Sequence, residues 1–210
     1  MKIFHLDASA RHERSMSRTL SAEFVARLRE LDASAEVDYL DLAIKAPPHI
    51  DELFTAAIYT VPADRSEAMV ERLRESDDLC ARLLAADTLV FAIPMYNWSP
   101  PSSFKAYIDN IIRPWLTWHV EPDGSYFGHL RGKKVLFLTT RGGDSSVGGK
   151  YESYDALTPA LRAAFGFLDV HDPVFVDVQP LQYGGEEAKV KALENSRIAL
   201  EKLAVEWTAV

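Results

Sequence analysis

An unbroken apolar run, TLVFAI at residues 88–93, constrains the fold of this chain more than any other feature. A run this short that ends at a proline, here Pro94, is typical of a strand buried on both faces, at the centre of a parallel sheet. Residues 134–139 have the same character and end in a glycine-containing segment. The sequence therefore predicts a parallel sheet that is covered by helices on both sides.

The remaining elements follow from hydrophobic spacing. Further strands are predicted at residues 2–6, 37–42 and 174–178. Helices are predicted from Ser17, a suitable cap, and over residues 66–86, 102–112, 157–167 and 186–207, while residues 51–64 are ambiguous. Strands and helices alternate without a linker or repeat, so we expect residues 1–210 to form a single α/β domain with a doubly wound parallel sheet.

Charge and composition exclude several classes of protein. The formal net charge of -8 argues against a nucleic-acid partner, which needs clustered Lys and Arg. No apolar stretch approaches the roughly 20 residues that span a membrane, and the amino terminus is too short in its apolar part for a signal peptide. The single cysteine, Cys80, cannot form an internal disulfide, so a cytoplasmic location is the default. Asp77 and Asp78 have no partners at metal-ligand spacing, and no metal site is expected.

The first candidate site follows the first strand. Hydroxyls of Ser9, Ser15 and Ser17 lie beside the start of the first helix, whose free N–H groups and positive dipole end suit a phosphate. Arg11, Arg14 and Arg18 make this a basic island in an acidic chain. Neither a Walker sequence nor a G-x-G-x-x-G turn is present, so the pattern favours a phosphomonoester held by hydroxyls. The alternative is an ordinary helix cap beside a solvated loop.

Two more candidate segments follow the apolar strands, and parallel strands bring their carboxyl ends to one edge. Met95, Tyr96, Asn97 and Trp98 supply flat rings on a proline-stiffened loop, and Thr140, Arg141, Gly142 and Gly143 supply backbone donors. Each could be an ordinary turn. Together with the serines they match a phosphorylated planar heterocycle, for which FMN is the obvious candidate.

At these residues the chain closely resembles the FMN-dependent NADH-azoreductases, also called NADH:quinone oxidoreductases. The resemblance extends over nearly the full length and also includes Lys105–Asp109, Gly132-Lys133-Lys134, Phe165-Gly166-Phe167 and Tyr183-Gly184. Trp98 and Thr140 depart from it, since the family often has phenylalanine and serine there. It implies a flavodoxin-like fold with a five-stranded parallel sheet in a three-layer α/β/α arrangement.

The resemblance also implies a function. It implies a homodimer with one FMN per subunit, the phosphate on Ser9, Ser15, Met16 and Ser17, the ring along residues 95–98 and its edge at residues 140–143. NADH or NADPH would donate hydride through flavin N5 in a ping-pong cycle, and quinones or azo compounds would accept two electrons, with no catalytic side chain assigned. Roles cannot be carried over to an aromatic-rich insertion that contains Trp115, Trp118, His119, Tyr126, Phe127 and His129.

Two alternatives stay open. A flavodoxin-like electron carrier would dock on protein partners without its own NAD(P)H turnover, and the acidic balance of the chain agrees with such docking. A redox-sensing interaction protein would have the same fold without flavin. Carriers are usually shorter than 210 residues, and the aromatic insertion would enclose a small-molecule pocket, so the enzyme is favoured.

Overall fold

A computed structural model describes residues 1–209 of the chain. In chain order, the strands and helices are β1 (Lys2–Asp7), α1 (Met16–Leu31), β2 (Glu36–Asp41), α2 (Glu52–Tyr59), α3 (Glu67–Ala85), β3 (Thr88–Pro94), α4 (Ser102–Ile111), β4 (Trp118–Val120), β5 (Tyr126–Gly128), β6 (Lys134–Thr140), α5 (Leu157–Phe167), β7 (Val174–Val178) and α6 (Gly185–Thr208). Two short 3₁₀ helices lie at Pro62–Asp64 and Glu152–Tyr154.

Five strands form one parallel sheet in the order β2-β1-β3-β6-β7. The chain moves outward from β1 to β2 and then crosses to the other side of β1 to form β3. A crevice opens at such a reversal, outside the carboxyl ends of the two strands, and this is where open α/β sheets bind ligands. The order is that of the flavodoxin-like fold, as predicted.

Both faces of the central strands are apolar because successive side chains enter opposite cores. Phe91 of β3 lies in a core with α3, α4 and α5, where its ring centroid is 5.5 Å from that of Phe137 and 5.0 Å from that of Phe165. The neighbouring Val90 faces a second core that contains Leu28 of α1 and Leu200 of α6. This two-sided burial explains why the run at 88–93 shows no alternation of apolar and polar residues.

Most predicted boundaries agree with the structure within a residue or two, and the first helix is the instructive exception. Ser17 was expected to cap it, but α1 begins at Met16, Ser15 occupies the cap position, and neither serine caps through its side chain. The ambiguous segment contains α2, which Asp51 caps by accepting a hydrogen bond from the Phe54 N–H at 2.7 Å.

The aromatic insertion forms an antiparallel hairpin of β4 and β5 apart from the main sheet. Trp118 packs edge-on against Phe167 of α5, with ring centroids 5.2 Å apart, which ties the hairpin to the core. Within residues 1–209, no helix combines the length and the apolar content needed to cross a lipid bilayer.

Candidate functional site

A cleft of about 420 Å³ lies at the carboxyl edge of the sheet, where the segments after β1, β3, β6 and β7 meet. It brings together eight of the twelve predicted site residues: Ser9, Ser15, Met16, Met95, Tyr96, Thr140, Arg141 and Gly142. Ser17, Asn97, Trp98 and Gly143 are their chain neighbours but do not line the cleft. Six lining residues were not assigned from the sequence: Arg11, Arg14, Pro94, Leu181, Gln182 and Lys189.

One end of the cleft has the donors that a phosphate needs. Ser9, Ser15 and Ser17 are all buried, and the hydroxyls of Ser15 and Ser17 lie 3.2 Å apart. The first main-chain hydrogen bond of α1 runs from Thr19 to the Ser15 carbonyl at 3.1 Å. The N–H groups of residues 16–18 therefore have no acceptor among the described residues. Together with the positive end of the helix dipole, they favour an anion at this position.

Arg18 holds this loop in shape. Its guanidinium donates to the carbonyl of Ser9 at 2.6 Å and to the carbonyl of Arg11 at 2.8 Å. The same group forms a two-pronged ion pair with Asp41, at 2.6 and 2.7 Å, and contacts Asp7 at 3.2 Å. Its charge is thus neutralised by carboxylates, so Arg18 contributes geometry to the predicted basic island rather than net positive charge.

The ion pairs determine the ionisation of this cluster. Hydrogen bonding to Asp41 raises the pKa of Arg18. Burial alone would raise the pKa of Asp41, but the hydrogen bonds from Arg18 and from the Ala43 N–H outweigh it and lower that pKa. Asp7 behaves likewise, since burial opposes hydrogen bonds from His5 and Tyr39 and its pKa is lowered overall. Both carboxylates therefore stay charged beneath the serine loop.

Tyr96 and Met95 connect the loop after β3 to its neighbours. The Tyr96 hydroxyl accepts a hydrogen bond from the Ala10 N–H at 3.1 Å. The Met95 N–H donates to the Thr140 carbonyl at 2.8 Å. The three strand-end segments are thus fixed relative to one another by hydrogen bonds as well as by the sheet.

The next residues form a tight turn in which two non-glycine residues have positive φ. Tyr96 and Ser99 exchange N–H···O bonds of 3.0 and 3.1 Å around Asn97 (φ 48°) and Trp98 (φ 72°). Asparagine tolerates this left-handed conformation, whereas for tryptophan it costs roughly 1–2 kcal/mol. The Trp98 ring packs on Tyr154, with centroids 5.0 Å apart, which accounts for its place outside the cleft. Neither Asn97 nor Trp98 donates its N–H to a described residue.

Arg141 contributes to the cleft wall through its backbone. Its side chain is 1% exposed and turns inward, where it donates to Asp177 at 2.7 Å and Thr158 at 2.6 Å and pairs with Asp155 at 3.2 Å. Because the guanidinium is committed to these partners and the Arg141 N–H donates to the Val178 carbonyl at 3.1 Å, the free donors of this segment are the N–H groups of Gly142 and Gly143. The partners of the guanidinium lie 14 to 36 residues away in the chain, so no local sequence pattern could predict them.

The two glycines after Arg141 lie close against side chains of the protein itself. A Cβ on Gly142 would lie 2.8 Å from the amide oxygen of Gln182, and a Cβ on Gly143 would lie 2.4 Å from the ring of Tyr151. Neither glycine donates its N–H to a described residue. The segment of Gly142 and Gly143 is thus closely packed against the protein and still has free N–H groups that could bind the edge of a ligand.

The donors at and beside the cleft fit FMN. Neutral hydroxyls and helix N–H groups suit its phosphate. The free N–H group of Gly142 in the lining, and those of residues 97, 98 and 143 next to it, suit the polar edge of its ring. No carboxylate of the described residues lines the cleft to repel an anion.

The two histidines of the aromatic insertion and the single cysteine lie outside the cleft. His119 and His129 of the hairpin are joined by a 2.8 Å contact from Nδ1 to Nε2, and neither lines the cleft. Burial raises the pKa of Cys80 to about 12, so this thiol stays protonated in the core. Residues 1–209 contain no cluster of His, Cys, Asp and Glu that could hold a metal ion.

Comparison with known proteins shows which family this chain resembles. A family model described as "Flavodoxin-like fold" matches residues 1–203. The chain is 43% identical over 207 residues to FMN-dependent NADH:quinone oxidoreductase 1 of Trichormus variabilis, covering 99% of this chain and 97% of that protein. It is 36% identical over 204 residues to the FMN-dependent NADH:quinone oxidoreductase of Azotobacter vinelandii, covering 97% and 99%.

A solved structure resembles the fold over its whole length. The FMN-dependent NADH-azoreductase from Bacillus anthracis, in complex with FMN, superimposes with a TM-score of 0.86 at 21% identity, covering 100% of both chains. At that identity the likeness concerns the fold alone.

Proposed function

Because this chain belongs to the FMN-dependent NADH:quinone oxidoreductase family of flavodoxin-like fold, we propose that it binds FMN in the strand-end cleft and reduces quinones and aromatic azo compounds with NADH or NADPH. The observation that carries the proposal is the convergence of three strand-end segments on one cleft, with phosphate donors at one end and free N–H groups at the other. A flavin needs both ends at once.

Each segment would hold one part of the flavin. Ser9, Ser15, Met16 and Ser17 would surround the phosphate, and Met95, Tyr96, Asn97 and Trp98 would lie along the ring. Thr140, Gly142, Gly143 and the main chain of Arg141 would meet its edge. Bound FMN would supply two-electron chemistry, taking hydride at N5 from the nicotinamide and passing both electrons to an acceptor in a ping-pong cycle.

The protein's own contribution is orientation and electrostatics. The fixed N–H groups of Gly142 and Gly143 would favour the ring when it carries negative charge, because preorganised donors act without reorganisation. Among the described residues, no carboxylate or histidine lines the cleft, so water would supply the protons. The nicotinamide donor and the electron acceptor would use the same cleft in turn. The cleft must therefore be open to solvent, as it is in this structure.

We further propose a homodimer with a flavin site in each subunit. Trp115, Val120 and Tyr126 expose 47, 54 and 61% of their surface in or next to the hairpin, and a second copy of the chain could cover this apolar surface. Sedimentation of the purified protein would test this.

The enzyme and the two alternatives are separated by one set of measurements. Protein reconstituted with FMN is mixed with NADH and with menadione or methyl red, and we expect NADH oxidation that depends on added flavin. Flavin binding without NADH oxidation would identify an electron carrier, and absence of flavin absorbance after reconstitution would identify a flavin-free protein. Either result would contradict the proposal.

A further inference from the structure

Two arginines at the cleft have side chains without a partner among the described residues. Arg11 and Arg14 line it beside Ser9 and Ser15, and both are exposed. Neither side chain forms an ion pair or donates a hydrogen bond to any other residue between 1 and 209. Arg18, the third member of the basic island, is instead fully engaged with Asp7 and Asp41.

The charge of the cleft is therefore positive in a chain with a net charge of -8. The other cationic residues of the lining are Arg141, whose side chain turns inward, and Lys189, from which Glu186 accepts a hydrogen bond at 3.0 Å. No carboxylate among the described residues lines the cleft. A flavin phosphate deep in the cleft has the serine hydroxyls and the α1 N–H groups, so Arg11 and Arg14 are additional to what one phosphate needs.

The backbone of this loop is also held in an unusual form. Arg14 has a φ of 59°, a conformation that side-chain-bearing residues rarely adopt and that persists only when the surroundings fix it. At the other end, Arg18 fixes the carbonyl of Arg11. Both arginines thus stand on a braced loop rather than on a loose one.

We propose that Arg11 and Arg14 bind the pyrophosphate of the dinucleotide electron donor at the mouth of the cleft. Two guanidinium groups match two phosphates in charge, and guanidinium is well suited to phosphate oxygens. Exposed ion pairs are weak and screened by salt, which suits a donor that must leave before the acceptor enters. This inference depends on the proposed function, since it concerns the donor of that reaction.

The test uses FMN-loaded protein with Arg11→Gln, Arg14→Gln and the double variant. Arg29→Gln is the matched control, because Arg29 is an exposed arginine of α1 that lines no part of the cleft. The donors are NADH and 1-benzyl-1,4-dihydronicotinamide, which lacks phosphate. We expect the KM for NADH to rise about fivefold in each single variant and about 20-fold in the double variant, with the phosphate-free donor unaffected.

An equilibrium measurement avoids catalysis altogether. ADP-ribose, which contains the pyrophosphate but no nicotinamide, is titrated by calorimetry into the wild-type and double-variant proteins. We expect binding to the wild type that weakens with added KCl, and binding to the double variant that is at least about tenfold weaker with little salt dependence. Arg29→Gln should bind ADP-ribose as the wild type does.

Several results would overturn the inference. An unchanged KM for NADH in the double variant, or no ADP-ribose binding to the wild type, would show that these arginines do not meet the donor. An equal loss with the phosphate-free donor would assign them to loop structure, and a parallel loss of FMN affinity would assign them to the flavin phosphate. Failure of the wild type to oxidise NADH would instead defeat the proposed function.

Discussion

The phenol oxygen of Tyr96 accepts a 3.1 Å hydrogen bond from the backbone N–H of Ala10, across 86 residues of chain. This contact joins the loop after β3 to the serine loop after β1, on the two sides of the crevice between these strands. The distance between the ring end and the phosphate end of the proposed flavin site is therefore set in part by one hydroxyl.

Replacing Tyr96 with phenylalanine removes that acceptor and leaves the ring. A hydrogen bond contributes about 0.5–1.5 kcal/mol, so we expect the Kd for FMN to rise by about 2- to 13-fold. Flavin fluorescence titration measures this Kd. Tyr59→Phe is the control, because Tyr59 of α2 is exposed, its hydroxyl has no hydrogen-bond partner in the described residues, and it lines no part of the cleft. Equal Kd values for Tyr96→Phe and the wild type would show that the contact does not support the site.

Arg18→Met should destabilise the protein as well as the serine loop. It leaves Asp7 and Asp41 buried without their cation, and breaking a buried ion pair in this way costs about 3–5 kcal/mol. Arg82→Met is the control, because its partner Asp38 is half exposed and such a pair contributes at most about 1 kcal/mol. Urea unfolding of the flavin-free proteins gives both free energies, and similar losses would rule out a special role for Arg18.

The cost of Arg18→Met should depend on pH. In the wild type the pKa values of Asp7 and Asp41 are lowered, so their stabilising contribution is present at neutral pH and is lost as the pH falls below about 4. Without Arg18, burial raises the pKa of Asp41, and protonation relieves its penalty as the pH falls. The difference in unfolding free energy between the two proteins should therefore shrink from pH 7 toward pH 4. A constant difference would contradict this charge-based explanation.

The sequence could predict the frame of the site because the frame depends on local patterns. Burial of β3 on both faces leaves no polar residue at 89–93, and this pattern predicts both the strand and its central place. The order of strands then follows from the resemblance and from the handedness of crossovers. Ser9, Tyr96 and Gly142 are found at the cleft because each follows a strand directly.

The side chains that brace the site could not be predicted in the same way. Arg18 meets Asp41 across 23 residues, and Arg141 meets Asp177 across 36. From the sequence alone, these arginines were expected to be charges near a ligand. In the structure, ion pairs with distant carboxylates turn their side chains inward, where they hold the loops of the site in place. Trp98 likewise adopts a positive φ that tryptophan disfavours, because neighbouring loops hold its ring in place.

Gly143→Ala tests the packing behind the free N–H groups. A methyl group there would lie 2.4 Å from the Tyr151 ring, and overpacking of this kind costs about 1–3 kcal/mol. Gly166→Ala is the control: it is helical, has nothing within 4 Å of the new methyl group, and should stabilise the protein by about 0.5–1 kcal/mol. Thermal unfolding distinguishes the two signs. A second change, Tyr151→Ala, should remove most of the Gly143→Ala penalty, and no such relief would mean that another contact is responsible.

Ser15→Ala and Ser17→Ala test where the flavin phosphate lies. Neither hydroxyl caps α1, and each change removes only the 3.2 Å hydrogen bond between the two hydroxyls, so we expect the free energy of unfolding of the flavin-free protein to fall by no more than about 1.5 kcal/mol. A hydrogen bond to a charged group contributes roughly 1.5–3 kcal/mol, so each change should weaken FMN binding by about 10- to 150-fold. Riboflavin, which has no phosphate, should bind all three proteins equally. Ser196→Ala serves as the control because its hydroxyl donates to the Ala192 carbonyl within α6. Unchanged FMN affinity in both serine variants would place the phosphate elsewhere, and equal losses for FMN and riboflavin would show that the serines shape the cleft without contacting the phosphate.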